Sequence, residues 1–248
     1  MNRKAIIIAN QGVEGTEGYL SGVLKDVDHY TSFLLSPNGG YWHQGEIAKM
    51  IRPSVGTVQS AIKQLSIYDY ALIVFSGHGY YSRQRSSTVL ELRDGEDIDS
   101  AELRSGAPKQ TLIVDCCRKK SPAMLMEARD MRFAKAGPQI NPDDCRKYYD
   151  RRIEECPGGL VVMYACSIDE VAGDDPQKGG YYSYSLLETS HEWARNSTVD
   201  TSKSVGYFSV VEAHDATVPP VRRLSGGRQN PSIEKPRTTP YYPLCIVA

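Results

Sequence analysis

The sequence has no apolar run near the roughly 20 residues that a bilayer-crossing helix needs. Its longest, residues 160–166, is far shorter, which excludes a helical membrane span. An excess of one charge is also missing: 29 Lys and Arg stand against 30 Asp and Glu, a formal net charge of -1. That balance argues against nucleic-acid wrapping as a main function, while leaving local patches open. No Cys-x-x-Cys occurs among the 6 cysteines, and the 5 histidines, at 29, 43, 78, 191 and 214, do not fall at ligand spacing. A structural metal is therefore not expected. Residues 1–10 begin basic and turn apolar, but the apolar part is too short for an export signal and stops at Asn10-Gln11-Gly12. The cysteines are accordingly expected to be free thiols in a reducing, cytoplasmic setting. Internal repeats and low-complexity tracts are absent. A 248-residue chain with 40% hydrophobic residues can bury a core, and one large α/β unit is the expectation.

Short apolar runs alternate with longer amphipathic stretches. Strands are expected at 4–10, 69–76, 110–115, 159–165 and 243–247. Each is apolar almost throughout, the pattern of strands covered on both faces in a mostly parallel sheet. Helices are expected at 20–35, 54–65, 184–195 and about 203–214. In the first, Leu20, Val23, Leu24, Val27, Tyr30, Phe33 and Leu34 recur at three- and four-residue spacing, forming one stripe. Alternation of this kind predicts a doubly wound α/β sandwich, with functional groups on loops at the carboxyl ends of the strands. Segment 118–156 breaks the rhythm. It is highly charged, with a helical start signalled by Ser121, Pro122 and Gly137, and a polar, loop-like remainder. The tail 222–240 is basic and rich in Pro and Gly.

Two strand ends could carry chemistry. Val74-Phe75-Ser76-Gly77-His78-Gly79 runs a buried strand into a histidine flanked by glycines, which clear space for a close substrate. Leu112-Ile113-Val114-Asp115-Cys116-Cys117-Arg118 ends a second strand in two cysteines. Singly, such residues are ordinary structural material. On adjacent parallel strands, His78 and Cys117 would meet in one crevice. There the imidazole can deprotonate the thiol and later protonate a leaving amine.

Ser76-Gly77-His78-Gly79 followed by Asp115-Cys116-Cys117-Arg118 resembles the caspase/metacaspase superfamily of cysteine peptidases. The resemblance extends to Leu20-Ser21-Gly22-Val23-Leu24-Lys25-Asp26, to Gly179-Gly180-Tyr181-Tyr182-Ser183 and to Gln229-Asn230-Pro231. It implies a caspase-like three-layer α/β/α sandwich with a mostly parallel central sheet. It also implies a single peptidase domain over 1–248: 1–117 like the large subunit, 118–156 a charged insert, 157–248 like the small subunit. Cys117 becomes the nucleophile and His78 its base, with the backbone amides of Gly79 and Cys117 forming the oxyanion hole. The resemblance matches Asp26 and Asp115 to the S1 acids of metacaspases. The substrate would then be a protein with Arg, in preference to Lys, before the scissile bond. The insert lies where caspases are cut on activation. Arg132, Lys135, Arg146, Lys147, Arg151 and Arg152 would suit the enzyme's own acidic pocket; a merely solvated insertion is the alternative.

The chain departs from the metacaspase pattern at Arg118-Lys119-Lys120, and positive charge beside Cys117 is expected to favour the thiolate. No cofactor is expected. Asp94, Glu96, Asp97 and Asp99 are acidic but lack the Asp-Asp-Glu pattern of calcium-dependent relatives, so a solvated loop is the expectation and calcium the alternative. Activation by a partner protein or a small-molecule signal stays open. With no recruitment domain in view, the resemblance suggests a prokaryotic homologue serving regulated cell death or antiphage defence. Two competing readings are a catalytically silent caspase-fold binding module and, more weakly, a nucleic-acid binder using the basic insert and tail. The latter lacks aromatics interleaved with the charge.

Overall fold

In the computed structural model, residues 1–119, 141–199 and 204–248 are described. Strand β1 (Arg3–Asn10) leads to helix α1 (Val23–Leu35), β2 (Ile47–Ile51) and α2 (Val55–Gln64). Strand β3 (Tyr70–Gly77) is followed by β4 (Gly79–Ser82), β5 (Ser87–Arg93), β6 (Glu96–Asp99) and β7 (Lys109–Asp115). Then come α3 (Pro142–Glu155), β8 (Gly159–Tyr164), β9 (Asp174–Asp175), β10 (Gly179–Gly180) and α4 (Tyr181–Arg195). The chain closes with β11 (Gly206–Ser209), α5 (Val210–Leu224), β12 (Ser232–Glu234) and β13 (Pro243–Val247).

Six strands form the central sheet in the order β12-β8-β7-β3-β1-β2. All neighbours pair in parallel except β12, which runs antiparallel on β8 at the edge. Alternate residues of β1 serve two separate cores. Ala5, Ile7 and Ala9 meet Val27, Tyr30 and Phe33 of α1 with residues of α3, α4 and α5, whereas Ile6 and Ile8 meet Val58 and Ile62 of α2. Helices on both faces of a mostly parallel sheet make the expected three-layer α/β/α sandwich. In the predicted α1 stripe, only Leu24 turns outward.

Three sequence expectations need correction. Residues 243–247 do form a strand, but β13 pairs antiparallel with β11 in a two-stranded sheet outside the central one. Its continuous burial comes from packing among α3, α4 and α5 rather than from two helical layers. The helix expected at about 203–214 begins only at Val210, because Gly206–Ser209 is taken by β11 and the Ser209 side chain caps the helix. Third, the charged segment 118–156 is not simply a connection: its last third is α3. Asn141 caps that helix, Pro142 occupies its first turn, and Cys145, Tyr149 and Ile153 bury one narrow face. The helix suggested by Ser121, Pro122 and Gly137 lies outside the described residues.

Helix α3 is pinned by a charged cluster. Arg3, fully buried at the start of β1, pairs with Asp150 at 2.9 Å and stacks its guanidinium on Trp42 and Tyr149. Arg146 grips Glu46 with two bonds of 2.8 and 2.6 Å, and Glu46 lies 3.9 Å from Arg3. Burial lowers the Arg3 guanidinium from its usual value, and Asp150 holds it up.

Candidate active site

Neighbouring strands β3 and β7 run in parallel with Ser76 level with Asp115, so both chains leave the sheet at the same edge. His78 follows one and Cys117 the other, and both line one open cleft. The same cleft is lined by Asp26, Ser76, Gly79, Asp115, Asp174 and Gly180. Its position at the carboxyl ends of the strands is the one the alternating pattern predicts.

His78 Nε2 lies 2.5 Å from the carbonyl oxygen of Gly18, in the loop between β1 and α1. A carbonyl can only accept, so Nε2 carries the proton and Nδ1 is left as the basic nitrogen. Cys117 is half-buried; its Sγ accepts the Ala172 N–H at 3.4 Å. Gly79 admits no side chain: a Cβ would lie 2.6 Å from Cys116 Sγ and 2.8 Å from the Val89 carbonyl. That closeness packs the Gly79 backbone against Cys116, the residue before the nucleophile, at the cleft that Cys117 also lines.

Of the basic residues expected to activate Cys117, Arg118 points elsewhere, Lys119 lines the cleft, and Lys120 lies outside the described residues. Arg118 is buried, donates to Thr88 Oγ1 at 3.1 Å and to the Cys166 carbonyl at 3.4 Å, and lies 4.1 Å above the Tyr164 ring. It is a core cation held by aromatics. Burial instead pushes the Cys117 thiol above its usual value, with the Ala172 amide opposing.

Beside the dyad lies a pocket of buried carboxylates. Asp26 is fully enclosed: its Oδ2 accepts from Ser76 Oγ at 2.6 Å and its Oδ1 from the Gly180 N–H at 3.0 Å. Asp115 Oδ2 accepts both the N–H of Ser183 at 2.9 Å and its hydroxyl at 2.6 Å. Burial, and then the Asp115 charge, push Asp26 well above the carboxylate range, while burial raises Asp115 to about 6. Both Asp residues matched to S1 thus meet in one pocket. A third acid, Asp174, was not singled out by sequence. Gly22 N–H donates to its Oδ2 at 3.0 Å, and burial raises it to about 6. Its only sequence signal is a Gly-Asp-Asp placed before the paired glycines 179 and 180; β9 on β10 brings the two together.

A caspase-domain family model matches residues 2–242. The chain belongs to the caspase-domain family. It is a cysteine peptidase of the caspase class. Among solved structures, caspase-1 from Spodoptera frugiperda resembles it with a TM-score of 0.57 at 11% identity, over 94% of this chain and 86% of that one. No curated protein matches the chain by sequence. At so low an identity the structural likeness speaks for the caspase fold alone.

The remaining expected positions divide. Arg132 and Lys135 lie outside the described residues. Arg146, Lys147, Arg151 and Arg152 all sit on α3, where Arg146 holds Glu46 and Arg152 stacks on Tyr207 at 3.8 Å while pairing with Glu155. A peptidase needs its substrate extended, so these four are not presented for cutting in the folded chain. The acidic loop is also committed. Asp94 pairs with Arg52, Asp97 with Arg85 and Glu96 with Arg93, while Asp99 caps the following turn through the Ala101 N–H. These four carboxylates do not converge into a calcium cage, and no metal-binding cluster occurs among the described residues. No described helix is long and apolar enough to cross a membrane.

Proposed function

We propose that this caspase-family peptidase is an endopeptidase cleaving after basic residues, with Arg preferred, through Cys117 and His78. The observation that carries the reading is one cleft in which the ends of β3 and β7 bring His78 and Cys117 beside the buried acids Asp26 and Asp115. Two enclosed carboxylates with no lysine or arginine bonded to either among the described residues favour a cation from the substrate. A pair at about 4 Å is worth on the order of 4 kcal/mol before desolvation.

In the reaction, His78 Nδ1 takes the Cys117 thiol proton as Sγ attacks the P1 carbonyl carbon. The resulting oxyanion is received by the Gly79 and Cys117 amides, and loss of one such donor typically costs ~100- to 1000-fold. His78 then gives its proton to the leaving amine, the C–N bond breaks and a thioester forms. Water, deprotonated by His78, hydrolyses the thioester and the thiol is regained.

A positional-scanning peptide library with wild type, Cys117→Ala and His78→Ala tests this. Arg-selective turnover confined to wild type is expected. Turnover surviving Cys117→Ala, or a P1 preference for acidic residues, overturns it. If no peptide is cleaved under any condition, the silent binding module is the better reading. On resemblance alone the role extends to a cytoplasmic effector of cell death or antiphage defence, set off by a partner protein or small-molecule signal. Growth arrest on expression of wild type but not of Cys117→Ala is the corresponding observation.

A further inference from the structure

Around the acidic pocket the acceptors are unevenly used. Asp26 already takes the Ser76 hydroxyl and the Gly180 amide, and Asp115 Oδ2 takes two donors from Ser183. Asp174 differs. The residue is 95% buried, with 5% of its surface exposed, and lines the same cleft as His78 and Cys117. Its Oδ2 is held by the Gly22 N–H, but its buried Oδ1 has no hydrogen-bond partner among the described residues. An unpaired buried carboxylate oxygen is costly unless a ligand supplies the donor. Nothing bulkier than glycine fits at Gly22, whose Cβ would collide with this carboxylate.

We infer that Asp174 is a specificity-determining residue whose free Oδ1 accepts an N–H from the guanidinium of a P1 arginine, separating arginine from lysine. The inference rests on the basic-P1 reading. Guanidinium is the ligand that fits an array of three carboxylates. It carries five donors in a rigid plane, so it can bond acids on more than one side of the pocket at once. A lysine ammonium is a single point with three donors on a flexible stem, and it can be satisfied by Asp26 and Asp115 alone. Asp175, next in sequence, is occupied differently, accepting the amides of Gln177 and Lys178 through Oδ1. A competing role for Asp174 is to cap α1, since Gly22 is that helix's N-cap.

Asp174→Asn separates the two roles, because its amide oxygen can still accept from Gly22 while an NH2 replaces the free acceptor. Matched peptides with Arg, Lys or citrulline at P1 are compared, with benzamidine as a small planar cation. For Asp174→Asn, KM for the Arg peptide and the Ki for benzamidine are expected to rise about 10- to 100-fold, as for loss of a charged hydrogen bond. The Lys peptide should lose less, so the Arg-over-Lys ratio of kcat/KM is expected to fall severalfold, with the melting temperature near wild type. Asp174→Ala should show the same selective loss at a lower melting temperature. Equal losses for Arg and Lys, a change in kcat alone, or no change overturns the inference. Wild type that prefers no cationic P1, cleaving citrulline as well as Arg, instead brings down the basic-P1 reading itself.

Discussion

His78 Nε2 and the Gly18 carbonyl oxygen are 2.5 Å apart, so the orientation of the ring is set by backbone rather than by an acidic side chain. The accepting loop is itself tightly built. Gly12, at φ +80°, lies so close that a Cβ would come within 2.9 Å of that same Gly18 oxygen.

Gly12→Ala should therefore lower kcat about 10- to 100-fold with little change in KM, by displacing the carbonyl and the ring together. Steady-state kinetics on an Arg-P1 peptide decide; a KM effect without a kcat effect contradicts it.

Because burial raises the Cys117 thiol, the free enzyme should alkylate slowly at neutral pH. Iodoacetamide labelling of Cys117, followed by intact mass against Cys117→Ala, should rise with a midpoint above the ~8.5 of an ordinary cysteine. A plateau reached below pH 7 would indicate a preformed thiolate–imidazolium pair.

Substrate affinity should depend on the acids that titrate near 6. Asp115 and Asp174 are raised to about 6, so both are ionised above that pH and neutralised below it. KM for the Arg peptide should be flat above about pH 7 and climb as pH falls through 6. Stability moves the other way, because a carboxylate whose folded value is raised costs stability that is fully present above the folded value and is lost only as pH falls to the unfolded one. Asp115→Asn should melt higher than wild type near pH 7.5, and the gap should narrow as pH falls below 6 and close only below about pH 4.

Arg3→Ala should destabilise the fold by about 3–5 kcal/mol, since it leaves Asp150 half-buried and unpaired beneath Trp42 and Tyr149. Arg146→Ala, removing a more exposed pair, should cost about 1 kcal/mol. Chemical denaturation followed by far-UV circular dichroism measures both.

Much of the site was legible because it sits on strands with unmistakable patterns. Tyr70–Gly77 and Lys109–Asp115 carry apolar runs at 70–75 and 112–114 and lead within a few residues to glycine, histidine and cysteine, so location follows from topology. Asp26 and Asp115 needed the family motifs, since a helix acid and a strand-end acid look ordinary alone. Asp174 was illegible because its meaning comes from a two-residue pairing with Gly180 and a contact with Gly22, 152 positions away. Helix α3 was hidden for a related reason: only Cys145, Tyr149 and Ile153 are buried in an otherwise polar stretch, too thin a stripe to stand out. Arg118 misled because adjacency in sequence says nothing of direction; a strand-end side chain can face the core as readily as the cleft.

The cluster of Arg3, Glu46, Arg146 and Asp150 also bears on what a backbone cut could do. It ties α3 to the first strand and its neighbouring turn, while β8, just downstream, is hydrogen-bonded along β7. A nick upstream of α3 would thus leave two polypeptides sharing one sheet and one ionic lock. Such a molecule would run as two bands when denatured and elute as one particle in solution. A cut there would leave the two pieces associated, so a cleaved backbone by itself would not mean a dismantled particle.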